Sequence, residues 1–161
     1  MTNQHIQNFF EKYPGPFSYY PGSSGVDETF DVVCTTTDSH IIASHYWEAK
    51  AAAELTAQSV AFALNMLSAG EALHWSTDRL PESVTWLHSK FPGPYSTQFV
   101  ECEYMPAYQV TCLHQKDSVI EDCTRGDDDE GQLVAETVAS ALNALRQPKL
   151  LDAPRRLLAA I

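Results

Sequence analysis

A chain of 161 residues with ten Lys and Arg against 21 Asp and Glu has a formal net charge of -11, which disfavours direct nucleic-acid binding, because such binding needs clustered cations to displace counterions. A chain of this length removes roughly 70% of its extended surface from water on folding and needs no metal or disulfide staple; its hydrophobic fraction of 44% and aromatic fraction of 11% read as globular rather than disordered. No stretch has the length and apolarity of a membrane span, and residues 1–10 lack a basic segment leading into an apolar core, so the expected location is the cytoplasm.

Ile6, Phe9, Phe10 and Tyr13 fall at i, i+3, i+4 and i+7, the spacing of a short amphipathic helix. Pro14-Gly15-Pro16 ends it, because a residue that precedes proline is pushed out of the α region. The triplet reads as a turn that delivers the chain to a strand. Period-two alternation with β-branched and aromatic residues predicts strands over 17–20, 30–36 and 41–46. A long helix over 48–67 follows, with Val60, Ala63, Leu64 and Leu67 as its buried stripe.

After a link over 68–78 the same order of signals returns. Lys12-Tyr13-Pro14-Gly15-Pro16-Phe17-Ser18 recurs as Lys90-Phe91-Pro92-Gly93-Pro94-Tyr95-Ser96, and Ala63-Leu64-Asn65-Met66-Leu67 recurs as Ala141-Leu142-Asn143-Ala144-Leu145, both at an offset of 78. Residues 9–67 laid on 87–145 match at 16 of 59 positions without a gap, the mark of a duplication. Pro81 suits the first turn of the second opening helix, whose stripe is Val84, Leu87, His88 and Phe91. Strands are expected over 95–104, 108–114 and 119–123, and a closing helix over 130–145 with Val138, Ala141, Leu142 and Leu145 inward.

The expected fold is therefore α+β: two α-β-β-β-α repeats, over 1–67 and 79–145, with antiparallel sheets packed with helices about a pseudo-two-fold axis in one compact unit. Either the sheets join edge to edge into one six-stranded layer, or the long helices pack together, which the small Ala57, Ala61, Ala135 and Ala139 would permit. Asn65 and Asn143 are the polar identity shared by the closing helices. They either face each other across the axis and fix register, or sit near helix ends and meet solvent or a terminal carbonyl. Residues 146–161 form a basic amphipathic tail, with Arg146, Lys149, Arg155 and Arg156 among Leu150, Leu151, Leu157, Leu158 and Ile161. The tail is expected to dock on its own domain or on a second copy, giving a homodimer, with membrane-surface binding disfavoured by the acidic body behind it.

A Pro-Gly-Pro-aromatic start, short strands and an alanine-rich closing helix resemble a group of small phage and prophage proteins. Their pattern is Pro-Gly-Pro-Trp near the start and Asn-Ala-Arg-Leu-Ile-Ala-Ala-Ala-Pro-x-Leu-Leu near the end. In this chain the aromatic is Phe17 or Tyr95, and the closing motif runs Ala57-Gln58-Ser59-Val60-Ala61-Phe62-Ala63-Leu64 and Ala135-Glu136-Thr137-Val138-Ala139-Ser140-Ala141-Leu142, without the helix proline. The resemblance implies an origin in a mobile element and carries no established chemistry.

Charge gives the functional expectation. Between residues 101 and 130 lie Glu101, Glu103, Asp117, Glu121, Asp122, Asp127, Asp128, Asp129 and Glu130 against Lys116 and Arg125. Such a surface steers toward basic protein grooves, including those that hold DNA or RNA. With a phage-type origin, the expected role is an anti-defence inhibitor of the anti-CRISPR kind, blocking a basic host protein through Glu101, Glu103, Glu121, Asp122, Asp127, Asp128, Asp129 and Glu130. The plain alternative is that the excess carboxylate only keeps the protein soluble. Gly126-Asp127-Asp128-Asp129-Glu130-Gly131 lacks the alternating ligands and distal glutamate of an EF-hand and reads as a cap on the last helix, so no metal or cofactor is expected.

A second class is a receptor for a small, nucleotide-like molecule in a cleft between the halves, where Tyr19, Tyr20, Tyr46, Trp47, Tyr104 and Tyr108 could stack on a flat ligand or instead fill the core. Enzymatic chemistry is not expected. The histidines, His5, His40, His45, His74, His88 and His114, belong to no HExxH motif, and no GxSxG or phosphate-cradling glycine loop is present. His40 and His45 flank a predicted strand, but their counterparts are Ser118 and Cys123, thin grounds for a nucleophile pair. Four cysteines without a CxxC pair read as reduced thiols, with Cys34 and Cys112 as small core side chains.

Overall fold

The structure, a computed structural model, describes residues 3–23, 28–45, 49–69, 80–101, 107–121, 123 and 128–146. Its elements run α1 (Asn3–Lys12), β1 (Phe17–Ser23), β2 (Glu28–Cys34), β3 (Ser39–His45), α2 (Lys50–Ser68), α3 (Glu82–Lys90), β4 (Tyr95–Val100), β5 (Ala107–Cys112), β6 (Asp117–Ile120) and α4 (Asp128–Ala144). The fold is α+β, with two antiparallel three-stranded sheets ordered β1-β2-β3 and β4-β5-β6 and packed with helices. Most of the link over 68–78 and all of the tail beyond Arg146 lie outside the described residues.

Each opening helix stops where the prolines require. Tyr13 N–H still reaches Phe9 O at 2.7 Å and Phe91 N–H reaches Leu87 O at 2.7 Å, and the chain then leaves the helix. Gly15 (φ +80) and Gly93 (φ +68) take the left-handed conformation that costs glycine least. Pro81 stands one place earlier than its sequence position suggested, as the N-cap of α3, where its carbonyl accepts from Val84 and Thr85 N–H at 3.1 Å each.

β4, β5 and β6 are shorter than the alternation predicted, β1 runs three residues further, and β2 and β3 each begin two residues earlier. β2 ends at Cys34 and β5 at Cys112, and the turns that follow carry Asp38 (φ +52) and Lys116 (φ +58). A bulge explains a second irregularity. Val32 pairs with Ile42 but Val33 with His40, so Ile41 is the extra residue of β3. Val110 pairs with Ile120 but Thr111 with Ser118, so Val119 is the extra residue of β6. An extra residue shifts the two-residue alternation by one, and Ile41-Ile42 and Val119-Ile120 are accordingly all buried.

The sheets do not join edge to edge; among the described residues they are separate, and the long helices α2 and α4 pack against each other. Ala57, Ala61, Ala135 and Ala139 are buried. The opening helices pack across the halves: α1 lies against α4, and α3 against α2. Lys12 Nζ meets Glu130 Oε1 at 2.8 Å and His5 Nδ1 meets Glu136 Oε2 at 3.4 Å along the first of these seams. Each half therefore covers part of the other's apolar surface, and Phe9, Val60, Leu64, Leu87, Val134 and Leu142 belong to one continuous core. Polar residues on the buried helix faces are satisfied internally: Ser59 Oγ donates to Leu55 O at 2.7 Å and Thr137 Oγ1 to Leu133 O at 2.9 Å.

Asn65 and Asn143 are part-buried and bond to the backbone of the first strand of their own half. The Asn65 carboxamide accepts from Phe17 N–H at 2.8 Å and donates to Phe17 O at 2.9 Å. Asn143 does the same to Tyr95, at 2.8 Å in both directions. Phe17 and Tyr95 open edge strands, so their backbone groups have no neighbouring strand to bond, and the carboxamide supplies that partner. Asn65→Ala and Asn143→Ala are each expected to lower the unfolding free energy by about 1–3 kcal/mol, the cost of leaving part-buried backbone groups unpaired. Urea denaturation checks this against Asn8→Ala, whose exposed bond from Gln4 should cost under about 0.5 kcal/mol.

Candidate functional site

Where the halves meet, the end of β3, the start of α2, α3 and β6 line an open cavity of about 390 Å³. The elements that form it are positioned by the exchange of opening helices, which brings α3 onto α2. Trp86, Lys90 and Phe91 come from α3 and its C-cap, Ala49, Ala52 and Thr56 from α2 and its N-cap, and Asp117, Ser118 and Glu121 from β6 and the residue that follows it. Lys90 Nζ lies 5.4 Å from the centroids of both the Trp86 and Phe91 rings, a double cation–π contact. Among the described residues it makes no ion pair, although Asp117 and Glu121 share the lining. Ser118 Oγ is shut off from solvent without a hydrogen-bond partner. α2 begins with no acidic residue in its first turn, and its N-cap, Ala49, offers no side-chain bond.

The aromatics singled out in the sequence do other work. Tyr19 packs on Phe30 with ring centroids 6.3 Å apart, and its hydroxyl accepts from Gln58 Nε2 at 2.8 Å. Tyr108 packs on Phe99 at 5.0 Å and donates to Gln132 Oε1 at 3.5 Å. Tyr20 is exposed, while Tyr46, Trp47 and Tyr104 lie outside the described residues. Trp86, Lys90 and Phe91 were missed because Phe91 read as a core position of an amphipathic helix and Lys90 only as part of the recurring segment before Pro-Gly-Pro. Their signal was the mismatch across the 78-residue offset: Trp86 stands opposite Asn8, and Ala52 opposite Glu130.

The acidic candidates divide. Glu101 follows β4 and Glu121 follows β6; both are exposed, and because β4 and β6 run the same way on either side of β5, the two carboxylates share one end of the sheet. The Tyr108–Gln132 bond brings the N-terminal end of α4 to that same end, with Asp128, Asp129 and Glu130 as its first residues. Carboxylates there meet the positive end of the helix dipole. Asp129 is exposed, and Glu130 pairs with Lys12. Glu103, Asp122 and Asp127 lie outside the described residues.

Cys34, Cys112 and Cys123 are fully buried, which leaves no path for a reactant. His40 Nε2 stands 3.7 Å from Asp31 Oδ1, which also accepts from Thr29 Oγ1 at 2.7 Å; His45 closes β3 and His74 lies outside the described residues. Among the described residues no group of three His, Cys, Asp or Glu side chains could hold a metal ion, and no helix is long and apolar enough to cross a membrane.

His88 occupies the place that Phe10 holds in the first half, beside the Tyr95 ring at 6.0 Å. Burial, with the Arg146 guanidinium second, holds its pKa down at about 4. Burial pushes the Tyr95 phenol up, and its hydroxyl donates to Phe91 O at 2.6 Å. No protein-family model, curated protein or solved structure matches this chain.

The His88 environment sets a pH dependence. The unfolded state takes up a proton near pH 6.5 that the folded state refuses down to about pH 4, so the neutral imidazole's contribution is intact above 6.5 and is lost as pH falls through that window. His88→Phe is expected to flatten this part of the stability profile, measured by urea midpoints at successive pH values.

Proposed function

We propose that the chain is a non-enzymatic binding protein of mobile-element origin that uses its negative surface to block a basic face of a host nucleic-acid-handling protein. Its scaffold, on this reading, is a pair of repeats related by a pseudo-two-fold axis, supported by the bulges, turns and asparagine clamps that recur 78 residues apart. One observation carries the reading: the chain's formal charge is -11, and among the described residues no Asp, Glu, Lys or Arg is buried, so their charges are not consumed in the core. A field of that sign attracts cationic grooves and repels nucleic acid itself.

Glu101, Glu121 and Asp129 are the exposed carboxylates gathered at one end of the second sheet, and they form the proposed contact. Glu130 contributes less, because its charge is already offset by Lys12. The immobilised protein is expected to capture a basic partner from host lysate, with capture falling steeply as salt rises through the range in which the Debye length shrinks below about 10 Å. A Glu101→Gln, Glu121→Gln, Asp129→Asn variant should lose most of that capture while unfolding at an unchanged midpoint. Salt-independent capture, or equal capture by the variant, overturns the reading.

A further inference from the structure

We propose that the cavity between the halves is a binding site for a free α-amino acid with a neutral or basic side chain, whose carboxylate sits against Lys90. The chain carries its own template for this contact. In the first seam, Lys12 of α1 meets Glu130 of α4 at 2.8 Å. Lys90 is the counterpart of Lys12 at the 78-residue offset, α3 lies on α2 as α1 lies on α4, and the counterpart of Glu130 is Ala52. The second seam thus keeps the ammonium and lacks the carboxylate, and both Lys90 and Ala52 line the cavity left there.

Most of the lining positions differ across the 78-residue offset, and three of them bring an aromatic ring or a carboxylate that the first-half counterpart lacks. Asn8, Ser39 and Ala43 of the first half stand opposite Trp86, Asp117 and Glu121. The changes add one aromatic wall and two carboxylates to a space that already holds one ammonium. A ligand that satisfies this set carries an anionic and a cationic group on a small apolar body, which is the constitution of an amino acid. Its carboxylate takes the place of Glu130 against Lys90, with the uncapped start of α2 beside it favouring negative charge. Its ammonium faces Asp117 and Glu121, and its side chain lies on Trp86 and the alanines of α2. The local excess of one carboxylate ranks basic side chains above acidic ones. A volume of about 390 Å³ is within the range of small-molecule sites.

Calorimetric titration of the full chain with L-arginine, L-phenylalanine, L-glutamate and inorganic phosphate tests the inference. L-Arginine and L-phenylalanine are expected to bind, L-glutamate at least tenfold more weakly than L-arginine, and phosphate not at all. Ala52→Glu, which restores the missing carboxylate opposite Lys90, should weaken L-arginine binding at least tenfold without lowering the thermal midpoint. Lys90→Gln should weaken it similarly if Ala52→Glu perturbs folding. Neither variant touches Glu101, Glu121 or Asp129, so capture of a basic partner should persist in both. The inference fails if no amino acid binds, if phosphate or L-glutamate binds as tightly as L-arginine, or if both variants titrate like the parent.

Discussion

A carboxamide on each long helix fixes the first strand of its half, and much of the architecture follows from that constraint. Phe17 and Tyr95 emerge directly from Pro-Gly-Pro turns, where the prolines cannot donate and one edge of the strand faces no neighbour. An unclamped edge strand is a weakly specified element, free to slip in register or pair with another chain. Asn65 and Asn143 close both backbone groups of that first residue in the geometry a neighbouring strand would provide, and they do so from the helix that covers the same sheet. Thr35 N–H then bonds Pro16 O at 2.9 Å and Leu113 N–H bonds Pro94 O at 3.0 Å, so the clamp and the strand ladder hold opposite sides of the same turn. Helix, turn and sheet are thereby tied at one point in each half.

The second constraint is the exchange of opening helices. A three-stranded sheet with one helix on it buries a single layer and leaves that helix's outer face in water. Placing α1 on α4 and α3 on α2 closes each helix pair with a helix from the other half, and the core becomes continuous through Phe9, Leu64, Leu87 and Leu142. The halves then depend on each other for burial, which is what makes the chain one unit rather than two linked ones. The seam ion pair between Lys12 and Glu130 adds little stability in its own right, because half of the lysine is exposed. Its structural weight lies in the orientation it gives to the end of α1.

The sequence made the element order legible because its signals recur at an offset of 78, and a stripe such as Val84, Leu87 and Phe91 matches Ile6, Phe9 and Tyr13. What it left open has a physical reason in each case. A buried stripe states that a helix face is covered but not by which helix, so the crossing of α1 onto α4 could not be read from periodicity. Asn65 bonds backbone 48 residues away, and a backbone partner leaves no trace in side-chain identity. The bulges were visible in principle, since the adjacent apolar pairs Ile41-Ile42 and Val119-Ile120 break the alternation that a regular half-buried strand requires. Attention to acidic density led to carboxylates such as Glu130 that serve the fold, while the cavity residues Trp86 and Lys90 carried no motif.

Positions that recur at the 78-residue offset do the same structural work in both halves. Pro-Gly-Pro, the asparagines and the helix alanines recur because turn, clamp and core demand them in both halves. His88 in place of Phe10 is tolerated at a cost paid as buried, neutral imidazole beside Arg146 and Tyr95. The change from Glu130 to Ala52 is of another kind, because it removes a satisfied charge pair and fills the space with nothing. Lys90 lies against two aromatic rings at a junction of helices and, among the described residues, makes no ion pair. That difference stands beside two others in the same lining, Asp117 opposite Ser39 and Glu121 opposite Ala43, and this junction is where the proposed amino-acid site lies.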